Sequence, residues 1–106
     1  MSRREQIEAM LADDPQDVFL RYTLAMEYHS EDRNDESLTI YRELMSDSPP
    51  HVPSYFRAAQ LLVDGDEITE AREILRNGIE LAREQGDSHT AAEMSELLQM
   101  LGELGD

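Results

Sequence analysis

The 106-residue chain has room for one domain, and a formal net charge of -15, from 24 acidic residues against nine arginines and no lysine, leaves no basic stripe for binding nucleic acid. With no cysteine there is no disulfide framework or thiolate metal site, and no segment approaches the roughly 18 apolar residues of a membrane span, so a soluble protein of the reducing cytoplasm is expected. The acidity admits two readings, a surface suited to concentrated salt or one that attracts basic partners.

Ser2 and Glu5 have the spacing of a capping box, and Ile7, Met10 and Leu11 share one helical face before Asp13-Asp14-Pro15 ends a first helix. A second is expected from Asp14 as its cap, with Pro15 in the first turn, through Val18, Tyr22, Ala25, Met26 and Tyr28 to His29 or Ser30. Asn34 is the expected cap of a third, bearing Leu38, Ile40, Tyr41, Leu44 and Met45 and stopped by Ser48-Pro49-Pro50, where the prolines offer no backbone donor. Pro53 opens a fourth through Tyr55, Ala58, Ala59, Leu61 and Leu62, which Gly65 is expected to end in a left-handed conformation. Asp66 then caps a fifth that carries Ile68, Ala71, Ile74, Leu75, Ile79 and Ala82 to a stop at Gly86. A sixth runs from Asp87 or Ser88 to about Leu104. Apolar spacings of three and four dominate, and no stretch alternates long enough to be a strand.

One internal period stands out. Pro15 and Pro49 are 34 residues apart, and the same shift pairs Val18 with Val52, Tyr22 with Phe56, Ala25 with Ala59, Asp32 with Asp66, Ser37 with Ala71, Ile40 with Ile74 and Arg42 with Arg76. Shifted backwards, Tyr41, Leu44 and Met45 fall on Ile7, Met10 and Leu11, so the first helix reads as the second half of a truncated unit. Alanine or serine at positions 25, 37, 59 and 71 lets helix axes approach to about 8 Å, which a bulky side chain would prevent.

A 34-residue helix-turn-helix unit of this kind resembles the tetratricopeptide repeat. Leu24-Ala25, Tyr28, Ser37, Tyr41 and Pro49 stand at the family's Leu-Gly, Tyr, Ala, Phe and Pro places. Ala58-Ala59, Leu62, Ala71 and Leu75 follow suit in the second unit, where Gly78 replaces the usual Ala and Arg83 the closing Pro. The resemblance implies an all-α, right-handed α-solenoid of about six helices in antiparallel pairs. It divides one domain of residues 1–106 into an N-terminal half-repeat at 2–13, repeats at 14–48 and 49–86, and a capping helix at 87–104.

The resemblance further implies that the first helix of each unit lines a concave groove. Its variable places are Phe19, Tyr22, Met26, His29 and Ser30 in the first unit, and Pro53, Phe56, Gln60, Val63 and Asp64 in the second, with Arg57 beside them. Such a surface suits an apolar peptide or amphipathic helix of a partner protein. It lacks the lysine, asparagine and arginine set with which one subset of the family clamps a chaperone's terminal carboxylate. Tyr22, Met26, Arg57, His89 and Glu93 occupy those places. The alternative is a self-associating scaffold, a homodimer through the surplus apolar face of Leu97, Met100, Leu101 and Leu104.

No catalytic or cofactor chemistry is legible. His29, His51 and His89 lack ligand spacing, there is no nucleophile motif or phosphate loop, and the carboxylates read as a solvated face. His89 and Glu93 are expected to make an ordinary surface contact.

Overall fold

A computed structural model describes residues 1–103. Among these there are six helices and no strand: α1 (Arg3–Asp13), α2 (Val18–Ser30), α3 (Asn34–Met45), α4 (Val52–Asp64), α5 (Ile68–Glu84) and α6 (Ser88–Glu103). No helix among the described residues is long and apolar enough to cross a membrane. The chain forms two compact units, Met1–His51 and Val52–Asp106. In the first, α2 packs on α1 and α3, and in the second, α4, α5 and α6 pack on one another.

α1 starts as expected, with a full capping box: the Glu5 amide donates to Ser2 Oγ at 3.1 Å and the Ser2 amide to Glu5 Oε1 at 2.9 Å. α2 starts three residues later than expected, because Asp14 and Pro15 belong to the preceding turn, where the Asp14 amide still donates to Met10 and Leu11. The cap is Asp17, whose carboxylate accepts the Leu20 amide at 2.8 Å.

The ends of α2, α4 and α5 share one turn. Asp32, Asp66 and Gly86 have φ of 61°, 63° and 76°. Their amides donate three residues back, to His29, Val63 and Arg83, and the following amides donate five back, from Arg33 to Tyr28, Glu67 to Leu62 and Asp87 to Ala82. This is the Schellman arrangement, and it moves three expected features by one residue each. The left-handed residue after α4 is Asp66, not Gly65, since the ring of hydrogen bonds must close just before the next helix begins. Arg33 and Glu67 occupy the cap places of α3 and α5 with no side-chain capping bond to the helix backbone, so Asn34 lies already inside its helix and Asp66 caps nothing.

The crossings are as tight as the small residues require. Ala25, Ser37, Ala59 and Ala71 are each fully buried. Ser37 adds a bond that alanine would lack, its hydroxyl donating to the Ala25 carbonyl on α2 at 2.6 Å. Gly78 is closer still. A Cβ there would lie 2.8 Å from Tyr55 Cβ and 2.7 Å from Met94 Sδ, so the departure from alanine is what lets α4, α5 and α6 converge. Arg83 in place of proline has the opposite effect on length. α3 stops after 12 residues ahead of its proline pair, whereas α5 continues for 17 and buries Ala82 in the added turn.

Candidate functional site

On α2, Thr23 and Ala25 turn inward, and Thr23 donates its hydroxyl to the Phe19 carbonyl at 2.8 Å. The outward stripe is Phe19, Tyr22, Met26 and His29, at spacings of three, four and three residues. Phe19 is 74% exposed, His29 and Ser30 are exposed, and Tyr22 and Met26 are half-buried. A rise of about 1.5 Å per residue puts Phe19 and Met26 about 10 Å apart along the helix.

Tyr22 is as much a packing residue as a surface one. Its ring meets Tyr41 edge-on at 5.8 Å and His51 at 4.9 Å. His51 is half-buried there, and loss of hydration holds its imidazole below the ordinary histidine pKa. The Asp47 carboxylate works against this shift and the Arg21 guanidinium adds to it. Arg21 and Asp47 form a two-pronged ion pair at 2.8 and 3.2 Å, and hydrogen bonding to Arg21 keeps the Asp47 carboxyl below the usual carboxylate range. Neither His51 nor the Arg21–Asp47 pair stands out in the sequence: the 34-residue shift sets Arg21 against Tyr55, and His51 sits in the linker after two prolines.

Elsewhere in the same unit, Arg4 reaches Glu31 through Nε at 3.0 and 3.1 Å and Glu8 at 2.9 Å, and Arg3 reaches Glu27 at 2.6 Å. Arg33 pairs with Glu36. The Arg4 and Arg33 guanidinium groups lie 5.5 and 4.8 Å from the centre of the Tyr28 ring.

On α4, Phe56, Gln60 and Val63 share a half-buried face with Arg57 exposed beside them, while Val52, Ser54, Tyr55, Ala58, Ala59, Leu61 and Leu62 are buried. α6 directs Ala91, Met94 and Leu101 inward, each at most 6% exposed. Leu101 therefore does not belong to an outer apolar face. The buried Arg72 side chain of α5 donates to the Leu101 carbonyl, fixing that turn against the core and meeting the negative end of α6 with a cation. Met100 remains 61% exposed and Leu97 half-buried, and Leu104 lies outside the described residues.

Two shallow clefts accompany these faces. One, of about 360 Å³, is lined by Arg83, Gly86, Ser88, Ala91, Ala92 and Ser95. The other, of about 460 Å³, is lined by Arg21, Thr39, Arg42, Glu43, Ser46 and Asp47, where the Thr39 and Ser46 hydroxyls donate back to their own helix. Among the described residues no three of His, Asp and Glu gather as metal ligands, and His89 meets Glu93 at 3.4 Å on the surface, the contact the spacing suggests.

No family model matches the chain, and no curated protein does. Solved structures do. The solution structure of a tetratricopeptide repeat domain protein from Salinibacter ruber is 30% identical, with 87% of this chain and 93% of that one covered and a TM-score of 0.81. A crystal structure of a tetratricopeptide repeat domain protein from the same organism is 29% identical, covering 84% of this chain and all (100%) of that one, with a TM-score of 0.78. A protein from Bordetella parapertussis shares the fold at 24% identity and a TM-score of 0.83, over 97% of this chain and 90% of its own. The recurrence at 34 residues, the buried small residues at each crossing and this likeness over nearly the whole length agree: the chain belongs to the tetratricopeptide repeat family.

Proposed function

We propose that the chain is a cytoplasmic adaptor that binds a segment of a partner protein on the outward faces of its first-in-pair helices. Phe19, Tyr22 and Met26 on α2 make the principal contacts, with His29 at the margin, and Phe56, Arg57, Gln60 and Val63 on α4 contribute their own face. Tetratricopeptide folds generally serve as protein-interaction modules and are typically non-enzymatic. The observation that carries the reading is Phe19, an aromatic ring 74% exposed on a well-capped helix, where folding gains little from its apolar surface. Methionine beside it adapts to varied side chains.

The test is retention of partners from the native cell extract by the tagged chain, compared with Phe19→Ser and Phe56→Ser variants whose helicity is first checked by circular dichroism. Loss of the same bound protein in a variant supports the reading, and identical capture by all three forms defeats it. Self-association through α6 is the weaker reading, favoured only by the exposure of Met100 and weakened by the inward turn of Leu101. Sedimentation at several concentrations decides it, since a strict monomer leaves it without content.

A further inference from the structure

We infer that the segment received by the α2 face is basic as well as apolar, with aliphatic or aromatic anchors seated on Phe19, Tyr22 and Met26 and lysine or arginine flanking them on both sides. The inference rests on the reading that this face binds a partner. Residues 1–51 carry 12 carboxylates against five arginines. Four of those arginines already hold carboxylates of the same unit: Arg3 holds Glu27, Arg4 holds Glu8 and Glu31, Arg21 holds Asp47 and Arg33 holds Glu36. What the unit presents to a ligand is therefore its carboxylate excess.

That excess brackets the stripe. Asp13 and Asp14 are exposed just ahead of Phe19, and Asp32 is exposed just beyond Ser30. The positive end of α2, which would otherwise welcome an anion, is already occupied by the Asp17 carboxylate. A cation carried on either side of the anchors comes within a Debye length of these groups, about 8 to 10 Å at ordinary salt. An acidic peptide or a phosphate backbone meets repulsion there. The exposed Phe19 ring also offers its face to a guanidinium, the contact that Arg4 and Arg33 make with Tyr28. Anchors about 10 Å apart, the span from Phe19 to Met26, correspond to two turns of a helix or about three extended residues.

The experiment measures fluorescence anisotropy of three synthetic probes with the full chain: a lysine–leucine–tryptophan amphipathic helix, the same helix with glutamate for lysine, and the lysine helix with serine for its apolar residues. The first is expected to bind at least about tenfold tighter than the other two and to weaken roughly three- to tenfold between about 50 and about 300 mM salt. It should weaken about tenfold with Phe19→Ser and about threefold with Asp13→Asn plus Asp14→Asn. Binding of the acidic probe equal to or tighter than the basic one, still sensitive to Phe19→Ser, overturns the inference and leaves the binding face standing. Equal binding of the serine probe reduces the effect to bulk charge and also overturns it. If no probe responds to Phe19→Ser, the inference and the proposed binding face fall together.

Discussion

Where the first unit buries Leu44, the second has Gly78, and where the first has Arg21, the second has Tyr55, each pair one repeat length apart. In the second unit the missing side chain on α5 admits Tyr55 from α4 and Met94 from α6. In the first, the α2 position is a cation that reaches Asp47. The consequence extends through each unit. Residues 52–103 bury a long run of apolar side chains from three mutually packed helices, whereas residues 1–51 bury Ile7, Ala25, Tyr41 and Leu44 and tie their surface together with ion pairs and with arginine over tyrosine. The same frame is thus compatible with two means of support, and the exposed stripe of α2 belongs to the thinner one.

The largest expected effect breaks the paired position in both directions. Leu44→Ala removes a fully buried side chain and should cost about 2 to 5 kcal/mol. Gly78→Ala adds one methyl group yet should also destabilise, by about 1 to 3 kcal/mol, even though alanine is the better helix former by about 1 kcal/mol. Urea unfolding of the two variants checks both signs, and a neutral or stabilising Gly78→Ala would show that α4, α5 and α6 do not converge as described.

Next in size is the response to pH. The Asp47 carboxyl, held low by Arg21, contributes stability above the ordinary carboxylate range that is lost as pH falls through its depressed pKa. Burial depresses His51 in the same sense, so its contribution begins to fade below about 6.5, the unperturbed histidine value. Tyr55, raised by burial, acts at the other end: its contribution is complete below about 10 and lost as pH rises further. Hydrogen exchange followed across pH should show protection in α2 and α3 falling on the acid side, with Asp47→Asn abolishing part of that dependence. It should also show α4 and α5 loosening on the alkaline side, with Tyr55→Phe abolishing part of that.

The smallest effect distinguishes the three shared turns. Asp32→Gly and Asp66→Gly should each stabilise by about 0.5 to 1 kcal/mol, because a left-handed residue with a Cβ is strained where glycine is not. Thermal melts of these variants beside Asp66→Asn separate backbone strain from relief of negative charge.

These turns also mark how far the sequence could be read. The period, the small residues at positions 25, 37, 59 and 71, the capping box at Ser2 and the stop at Gly86 are local or repeating signals, and each corresponds to a feature of the fold. Glycine is the usual left-handed residue at a helix end, which points to Gly65, whereas the turn after α4 places Asp66 there, one repeat length from the left-handed Asp32. Asp14 lost the cap of α2 to Asp17 since its backbone is still engaged with α1. For the candidate site, the α2 stripe follows from helical spacing, but the packing of Tyr22 on His51 and of Arg72 on Leu101 joins residues 29 apart in each case, beyond any local pattern.

Binding on the outward face of α2 is tested most directly by titrating the labelled chain with the basic amphipathic probe and following amide chemical shifts. Perturbations should concentrate at Phe19, Tyr22 and Met26 and be abolished by Phe19→Ser. Shifts centred instead on Leu97 and Met100, or a pattern untouched by Phe19→Ser, would contradict binding on that face.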